Sequence, residues 1–294
     1  MATGLTQEAL WALIQRPGCA AQEGTLHLIA TPIGNLGDLT LRAARLLADV
    51  DHLFCEDTRV SAKLLAALGL KRGLSSLHEH NESGRIAQVV EALSVGQSVG
   101  LISDAGMPLL SDPGGRLVAA VVAAGLQVTT APGASAALSA LVNSGLPVAP
   151  SVFLGFAERK KGRLAEQLAP FAQTPGSIVF FEAPGRIAGL LTRLFELLGD
   201  RVVVVGRELT KKHETFHRGS LGSPPEVPAR GEMVVVIGPP APESALEGEA
   251  LDYEITALLD QGHRPKAVAS LLAARSPRRQ VYSRAVELLA CSSH

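Results

Sequence analysis

Four short segments are rich in polar, small or turn-forming residues: TPIGNLGD (31–38), EDTR (56–59), SDAGMP (103–108) and APGASAA (131–137). The third runs on through SDAGMPLLSDPG to Gly114, longer than a simple turn requires. Ala105 and Gly106 have little or no side chain, so the backbone there can approach a small ligand and read it with amides and carbonyls. Asp104 can accept a charge-assisted hydrogen bond from a cation. Asp112, just before Pro113-Gly114, reads as a turn or cap residue. Glu56 and Asp57 stand beside Arg59, an arrangement suited to proton transfer or to an internal ion pair. In RELTKKHET (207–215), Glu208 is accompanied by Arg207, Lys211, Lys212 and His213. LHEHNE (77–82) supplies His78, His80 and Asn81; no regular Asp, Glu or Cys set accompanies the two histidines, so metal is not expected, and His78 and Asn81 read as hydrogen-bonding groups for a substrate. ERKKGR (158–163) is a basic patch, either a solvated helix start or an anion contact.

The elements that must position these residues alternate. Strands are expected at 25–31, 52–55, 98–103 and 126–131, with helical periodicity at 39–50, up to Leu68, at 85–96, at 115–125 and at 135–145. Each of the four unusual segments begins where one of these strands stops. In an open, mostly parallel α/β sheet, ligands bind at the carboxyl ends of the strands, so the four loops form one wall of a cleft. GLPVAPS (145–151) marks a boundary, after which strands are expected at 151–156, 177–182 and 201–208. FFEAPGR (180–186) and the 206–215 segment then supply a second wall, facing the first across a hinge. HETFHRGSL and GEMVVVIG follow without a helix between them and are expected to pair antiparallel. The expected organisation is an extension over 1–24, loosely attached; an N-terminal α/β domain over 25–147; a second α/β domain over 148–240; and, past the linker PPAPESALEGE (239–249), a helical piece over 250–290.

Composition narrows the function classes. The chain has 294 residues, 47% apolar and 19% charged, with a net charge of −1. It is globular, and any surface for nucleic acid must be local. Cys19, Cys55 and Cys291 are far apart, which disfavours a structural zinc site and suits a reducing cytoplasm. No signal peptide and no membrane span are expected. GxxxxGK[ST] and GxGxxG are both absent, so neither a P-loop nor the usual dinucleotide fingerprint applies.

Taken in order, TPIGNLGDLTLRA, CEDTR, LHEHNE, SDAGMPLLSDPG, PGASAALSAL, FFEAPGR, RELTKKHET and RGEM span residues 25–237. This ordered set resembles the ribosomal small-subunit RNA cytidine 2′-O-methyltransferases, a branch of the tetrapyrrole-methylase superfamily. The resemblance implies two α/β domains with S-adenosylmethionine in the cleft between them. It implies cofactor contacts at Ile33, Gly34, Asp104, Ala105, Gly106, Met107, Leu110, Ser135, Ala136, Glu182, Leu209 and Met233. The family loop reads SDAG-Thr-Pro, and Met107 stands at the Thr position. Methyl transfer to a ribose hydroxyl needs positioning and a proton acceptor, and no metal. Glu56, Asp57 and Glu208 are the catalytic candidates, with His78 and His80 as further bases. Arg59, His78, Asn81, Arg207 and Lys211 are the candidates for holding RNA.

The expected partners are ribosomal RNA or the small ribosomal subunit, and a second copy of the chain in a homodimer. Two other functions compete: C-methylation of a tetrapyrrole such as a precorrin or uroporphyrinogen, and non-catalytic RNA binding on the same fold. In 250–290, Ser276 and Pro277 suit the start of a helix. Lys266, Arg275, Arg278, Arg279 and Arg284 are then available to face outward as an RNA-docking module, with Tyr282 packed beneath the turn.

Overall fold

The computed structural model describes residues 7–78, 81–241, 247–273 and 275–291. His80 and part of the linker after Ala241 lie outside the described residues. The chain divides into two compact units: one holds both sheets and runs to Gly238, and the other holds the C-terminal helices.

The first sheet contains β1 (Thr25–Ile29), β2 (His52–Cys55), β3 (Ser75–Ser76), β4 (Val99–Ile102) and β5 (Gln127–Ala131) in the order β3-β2-β4-β1-β5, all parallel. Helices α2 (Leu41–Asp49), α3 (Thr58–Ala67), α4 (Glu82–Ser94) and α5 (Gly115–Ala123) join them. One face buries Phe54, Leu101 and Leu117 against α4 and α5; the other buries Ile29, Leu47 and Leu65 against α2 and α3. Burial on both faces explains why these strands read as continuous apolar runs. Polar loop residues start the helices: the Thr40 hydroxyl accepts from the Ala43 amide at 3.1 Å, and the Asp57 carboxylate from the Arg59 amide at 2.8 Å.

The second sheet contains β6 (Ser151–Phe156), β7 (Ser177–Glu182), β8 (Val202–Arg207), β9 (Thr215–Ser220) and β10 (Met233–Ile237) in the order β6-β7-β10-β8-β9. The last two strands do not pair with each other as the sequence suggested. The fully buried β10 inserts antiparallel between β7 and β8, while β9 takes the edge beside β8. MVVVI is apolar at every position and needs cover on both faces, whereas TFHRGS carries polar residues that tolerate an edge.

The two sheets belong to one unit because α6 (Ala136–Ser144) follows the first sheet but packs on the second. Ala137, Ala140 and Leu141 bury against Val179, Val234 and Val236, with Ile33 and Leu209 in the same cluster. The N-terminal residues also differ from the loose extension expected: α1 (Gln7–Ile14) packs on α2, and Ala21 joins the core beneath it. In the second unit, α9 (Gly248–Asp260), α10 (Pro265–Leu271) and α11 (Arg278–Cys291) surround Ile255, Val268, Val281 and Ala285; α7 (Lys161–Leu168) and α8 (Ile187–Leu198) complete the second sheet's cover. Among the described residues, no helix is long and apolar enough to cross a membrane.

Candidate active site

The loops after β1 and β4 are tied together at one point. Thr31 and Gly106 exchange two backbone hydrogen bonds, of 2.9 and 3.0 Å, and the Thr31 hydroxyl donates to the Ser103 carbonyl at 3.2 Å. Gly106 has φ +79°, and an added Cβ would lie 3.1 Å from Ile33 Cγ2. The glycine is thus required by the backbone itself, whatever ligand approaches it. Beyond it, Leu109 and Ser111 take φ of 74° and 76°, conformations that L residues avoid, and Gly114 takes +118°. This strained path turns Leu110, Ser111 and Asp112 toward the second sheet.

The result is a cavity of about 400 Å³ between the carboxyl-end loops of the first sheet and the ends of β6, β7 and β8. Ile33, Ala105, Gly106, Met107, Leu110, Ser135 and Ala136 line one side, and Phe156, Phe181, Glu182, Leu209, Met233 and Val234 the other. Apolar walls with a few convergent polar groups are the usual make-up of a small-molecule site. Ten of the twelve cofactor candidates therefore lie together. Gly34 and Asp104 instead line a neighbouring recess with Thr31, Ser61 and Lys63. The Asp104 carboxylate accepts from the Asp57 amide at 3.1 Å, so it braces the β2 loop.

Two carboxylates in the cavity stand out. The Glu182 side chain is 0% exposed; Oε1 accepts from the Ala183 amide at 2.7 Å and pairs with Arg186 at 2.6 Å. Its Oε2 is buried with no hydrogen-bond partner among the described residues. A buried acceptor without a partner is costly unless a donor meets it. Asp112 is the other. Burial pushes its carboxyl up from 3.8 to about 6; a hydrogen bond from Ser103 opposes the shift, and the charge of Asp104 adds to it. The turn or cap role read from sequence is thereby replaced by a place in the cavity lining. The Ser103 partner and the strained Leu109–Ser111 path are three-dimensional features that the one-dimensional pattern could not display.

The three carboxylates singled out from sequence lie elsewhere. Asp57 caps α3 and grips Arg59 at 2.6 Å; that bond and the Arg59 amide hold its carboxyl at about 2. Glu208 is held below the usual carboxylate range by the Glu232 amide and by Lys211. Glu56 is half-buried at the end of β2. None of them lines the cavity.

The substrate candidates divide in the same way. Arg59 is 87% exposed at its side chain but tethered to Asp57. The Asn81 carbonyl accepts from the His78 amide and its amide donates to Ser76, so Asn81 holds the turn before α4. Arg207 is buried and donates to the Arg230 and His213 carbonyls, which fixes the β8 loop. Lys211 bridges Glu208 and Glu232, and its side chain lies over Gly34, where a Cβ would come within 2.4 Å of it.

Residues 25–225 match the model of the family described as Tetrapyrrole (Corrin/Porphyrin) Methylases. The chain is 41% identical over 273 residues to ribosomal RNA small subunit methyltransferase I of Mesorhizobium japonicum, covering 90% of this chain and 92% of that one. It is 42% identical over 272 residues to the protein of the same name from Xylella fastidiosa, covering 88% and 98%. Among solved structures, a cobalt precorrin-4 methyltransferase is similar in fold with TM-score 0.54 and 18% identity, over 73% of this chain and 95% of that one. A uroporphyrin-III C-methyltransferase from Thermus thermophilus, complexed with S-adenosylhomocysteine, gives 0.51 and 20%, over 73% and 97%.

Asp112 has a signed consequence for stability. Its folded-state pKa lies above the ordinary 3.8, so its contribution to stability is full below about pH 4 and is lost as pH rises through about 6. Asparagine mimics the protonated form. Asp112→Asn is therefore expected to melt at a higher temperature than the parent chain at pH 8, with the gap closing toward pH 4. Thermal melts across that range check it; a lower melting temperature at pH 8 means the carboxylate is held as a stabilising ion.

Proposed function

Because the chain belongs to the tetrapyrrole (corrin/porphyrin) methylase family, alongside the small-subunit ribosomal RNA methyltransferases, we propose that it transfers a methyl group from S-adenosylmethionine to the ribose 2′-oxygen of a cytidine in small-subunit ribosomal RNA. The observation that carries this reading is the cavity itself: apolar walls for the adenosine and thioether parts, with Glu182, whose Oε2 has no partner among the described residues, in the lining as an acceptor for one of the ligand's donors. Ile33, Met107, Leu110, Leu209 and Met233 would hold the apolar surface, and Met107 offers no hydroxyl at the position where the family loop carries one. When bound, S-adenosylmethionine supplies a methyl carbon on a sulfonium; a C–O bond forms, the C–S bond breaks, and the ribose hydroxyl loses its proton.

Asp112 is the group in the lining suited to take that proton. A carboxylate with a pKa of about 6 is largely ionised at neutral pH yet far more basic than Asp57 at about 2. Its carboxylate can hold the hydroxyl and accept the proton, and the product proton then leaves to solvent. The tetrapyrrole alternative draws on the distant structural neighbours alone, while the relatives that span most of the chain are named for ribosomal RNA. A bacterial cytoplasm is the setting such a substrate implies.

Titration calorimetry with S-adenosylmethionine and methyl-label transfer to RNA test this together. Glu182→Gln is expected to weaken cofactor binding by about tenfold, the worth of one hydrogen bond to a charged group. Asp112→Asn should keep cofactor affinity and lose about 100-fold in turnover, the scale of general-base catalysis. Turnover of the parent chain should fall below about pH 6. A fully active Asp112→Asn, or label entering a porphyrinoid and not RNA, contradicts the reading.

The helical unit after Gly238 fits an RNA-docking role, with some of the predicted residues engaged otherwise. Arg284 pairs with Asp252 and Glu287, and Arg275 with Glu254, so these two mainly hold α9 to the later helices. Tyr282 is 49% exposed and does not pack beneath the turn. Arg278 and Arg279 open α11 as cations. Replacing both with Gln should weaken RNA binding several-fold and reduce its salt dependence, with cofactor binding unchanged. Equal affinity and equal slope would leave the unit a structural role only. The family resemblance adds a homodimer, for which Leu138 and Val142, exposed one turn apart on α6, provide apolar surface; sedimentation reads the mass.

A further inference from the structure

A second recess of about 540 Å³ adjoins the cavity and shares Phe156 and Ala183 with it. Its other walls carry Arg159, Lys160, Arg163 and Arg186, with Glu158 the one acidic residue in the lining. Arg159, Lys160 and Arg163 are exposed, and among the described residues none of the three has an acidic partner. Arg186 differs: one of its nitrogens pairs with Glu182 and donates to the Ala157 carbonyl, while its buried Nε has no acceptor among the described residues. The recess also receives the start of α7, whose N-cap, Lys160, offers no side-chain acceptor to the first-turn amides. Several cations and an uncapped helix start favour an anion of high charge density.

We infer that this recess seats a backbone phosphate of the RNA strand next to the nucleotide being methylated, through Arg159, Lys160, Arg163 and Arg186. This rests on the proposed function and deepens it. A ribose presenting its hydroxyl in the cavity carries a phosphate on each side, and the wall formed by Phe156 and Ala183 puts the recess directly beside that cavity. Phe156 stands on the shared wall, 57% exposed, with its ring held edge-on against Phe181 at 5.6 Å. An exposed, fixed aromatic ring between a methyl-donor cavity and a basic recess gives a flanking base a surface to stack on. Arg186 belongs to both sites: it lines the recess, and its Nη2 pairs with the Glu182 carboxylate of the cavity.

The test uses the full chain with Arg159, Lys160 and Arg163 all replaced by Gln. These three are surface residues outside the cavity, and Arg186 is left in place to keep Glu182 fixed. Affinity for S-adenosylmethionine is expected to stay within about twofold. Affinity for a small-subunit ribosomal RNA fragment should fall several-fold near 50 mM salt, and the slope of log affinity against log salt should flatten by about 0.7, the loss of one single-strand phosphate contact. Removal of two charges outside the recess, Lys71→Gln with Arg116→Gln, should change both by little. If the triple variant binds and methylates RNA like the parent chain with the same salt slope, the recess is not the phosphate seat, although the proposed function stands. If the parent chain binds the cofactor but neither binds nor methylates RNA, the functional reading fails and takes this inference with it.

Discussion

The arrangement depends on the burial of one helix against a sheet it does not follow. α6 leaves the first sheet after β5, yet its Ala137, Ala140 and Leu141 face is closed by Val179, Val234 and Val236 of the second. Small residues on the helix let it lie close to β10 and β7, and the apolar contact brings the carboxyl ends of β1 and β4 opposite those of β7 and β8. Burial of this kind contributes on the order of 1.5–3 kcal/mol for each large side chain, so the contact is strong compared with the net stability of a domain. Ser135, which caps α6 through the Leu138 amide, is itself a cavity residue, so helix start and ligand wall are one feature.

Within that frame, the long β4 loop is shaped by backbone needs first. Thr31 and Gly106 clasp the β1 and β4 loops, and the positive φ angles at Leu109 and Ser111 carry the chain back toward the second sheet. Those angles are unfavourable for L residues and persist because the neighbouring contacts over-determine them. Their product is the placement of Asp112 in a partly dehydrated wall near Asp104, which separates its acidity from that of Asp57. Similar side chains therefore acquire different chemistry: hydrogen bonds to the charged form keep Asp57 and Glu208 as ions, and burial makes Asp112 a better base.

Much of this was legible in the sequence, and the misses have physical causes. Strands at 52–55, 151–156 and 177–182 stand where apolar runs and flanking turn residues put them. Periodicity and parallel topology dictate which edge of the first sheet the βα loops occupy, while the individual cofactor candidates came from the family resemblance, and ten of them line one cavity. Strand order was not legible: β10 and β9 are both β-rich, and only the need to bury MVVVI on two faces sends the former to the centre. Polar residues were harder still. Asn81 and Arg207 look like ligand groups by type, but turn closure and backbone carbonyls claim them. Asp112 looks like punctuation before Pro-Gly, and its role depends on a fold-level neighbour, the second sheet. Tyr282 was expected to be covered, and the neighbouring helices close around Val281 and Ala285 in its place.

The most direct measurement of the central claim is to incubate the purified chain with methyl-labelled S-adenosylmethionine and small-subunit ribosomal RNA, digest the RNA to nucleosides, and identify the labelled one by mass spectrometry. The account predicts label in 2′-O-methylcytidine, with the methyl on the ribose fragment. Label on a base, or no label in RNA from a chain that binds the cofactor, would contradict it.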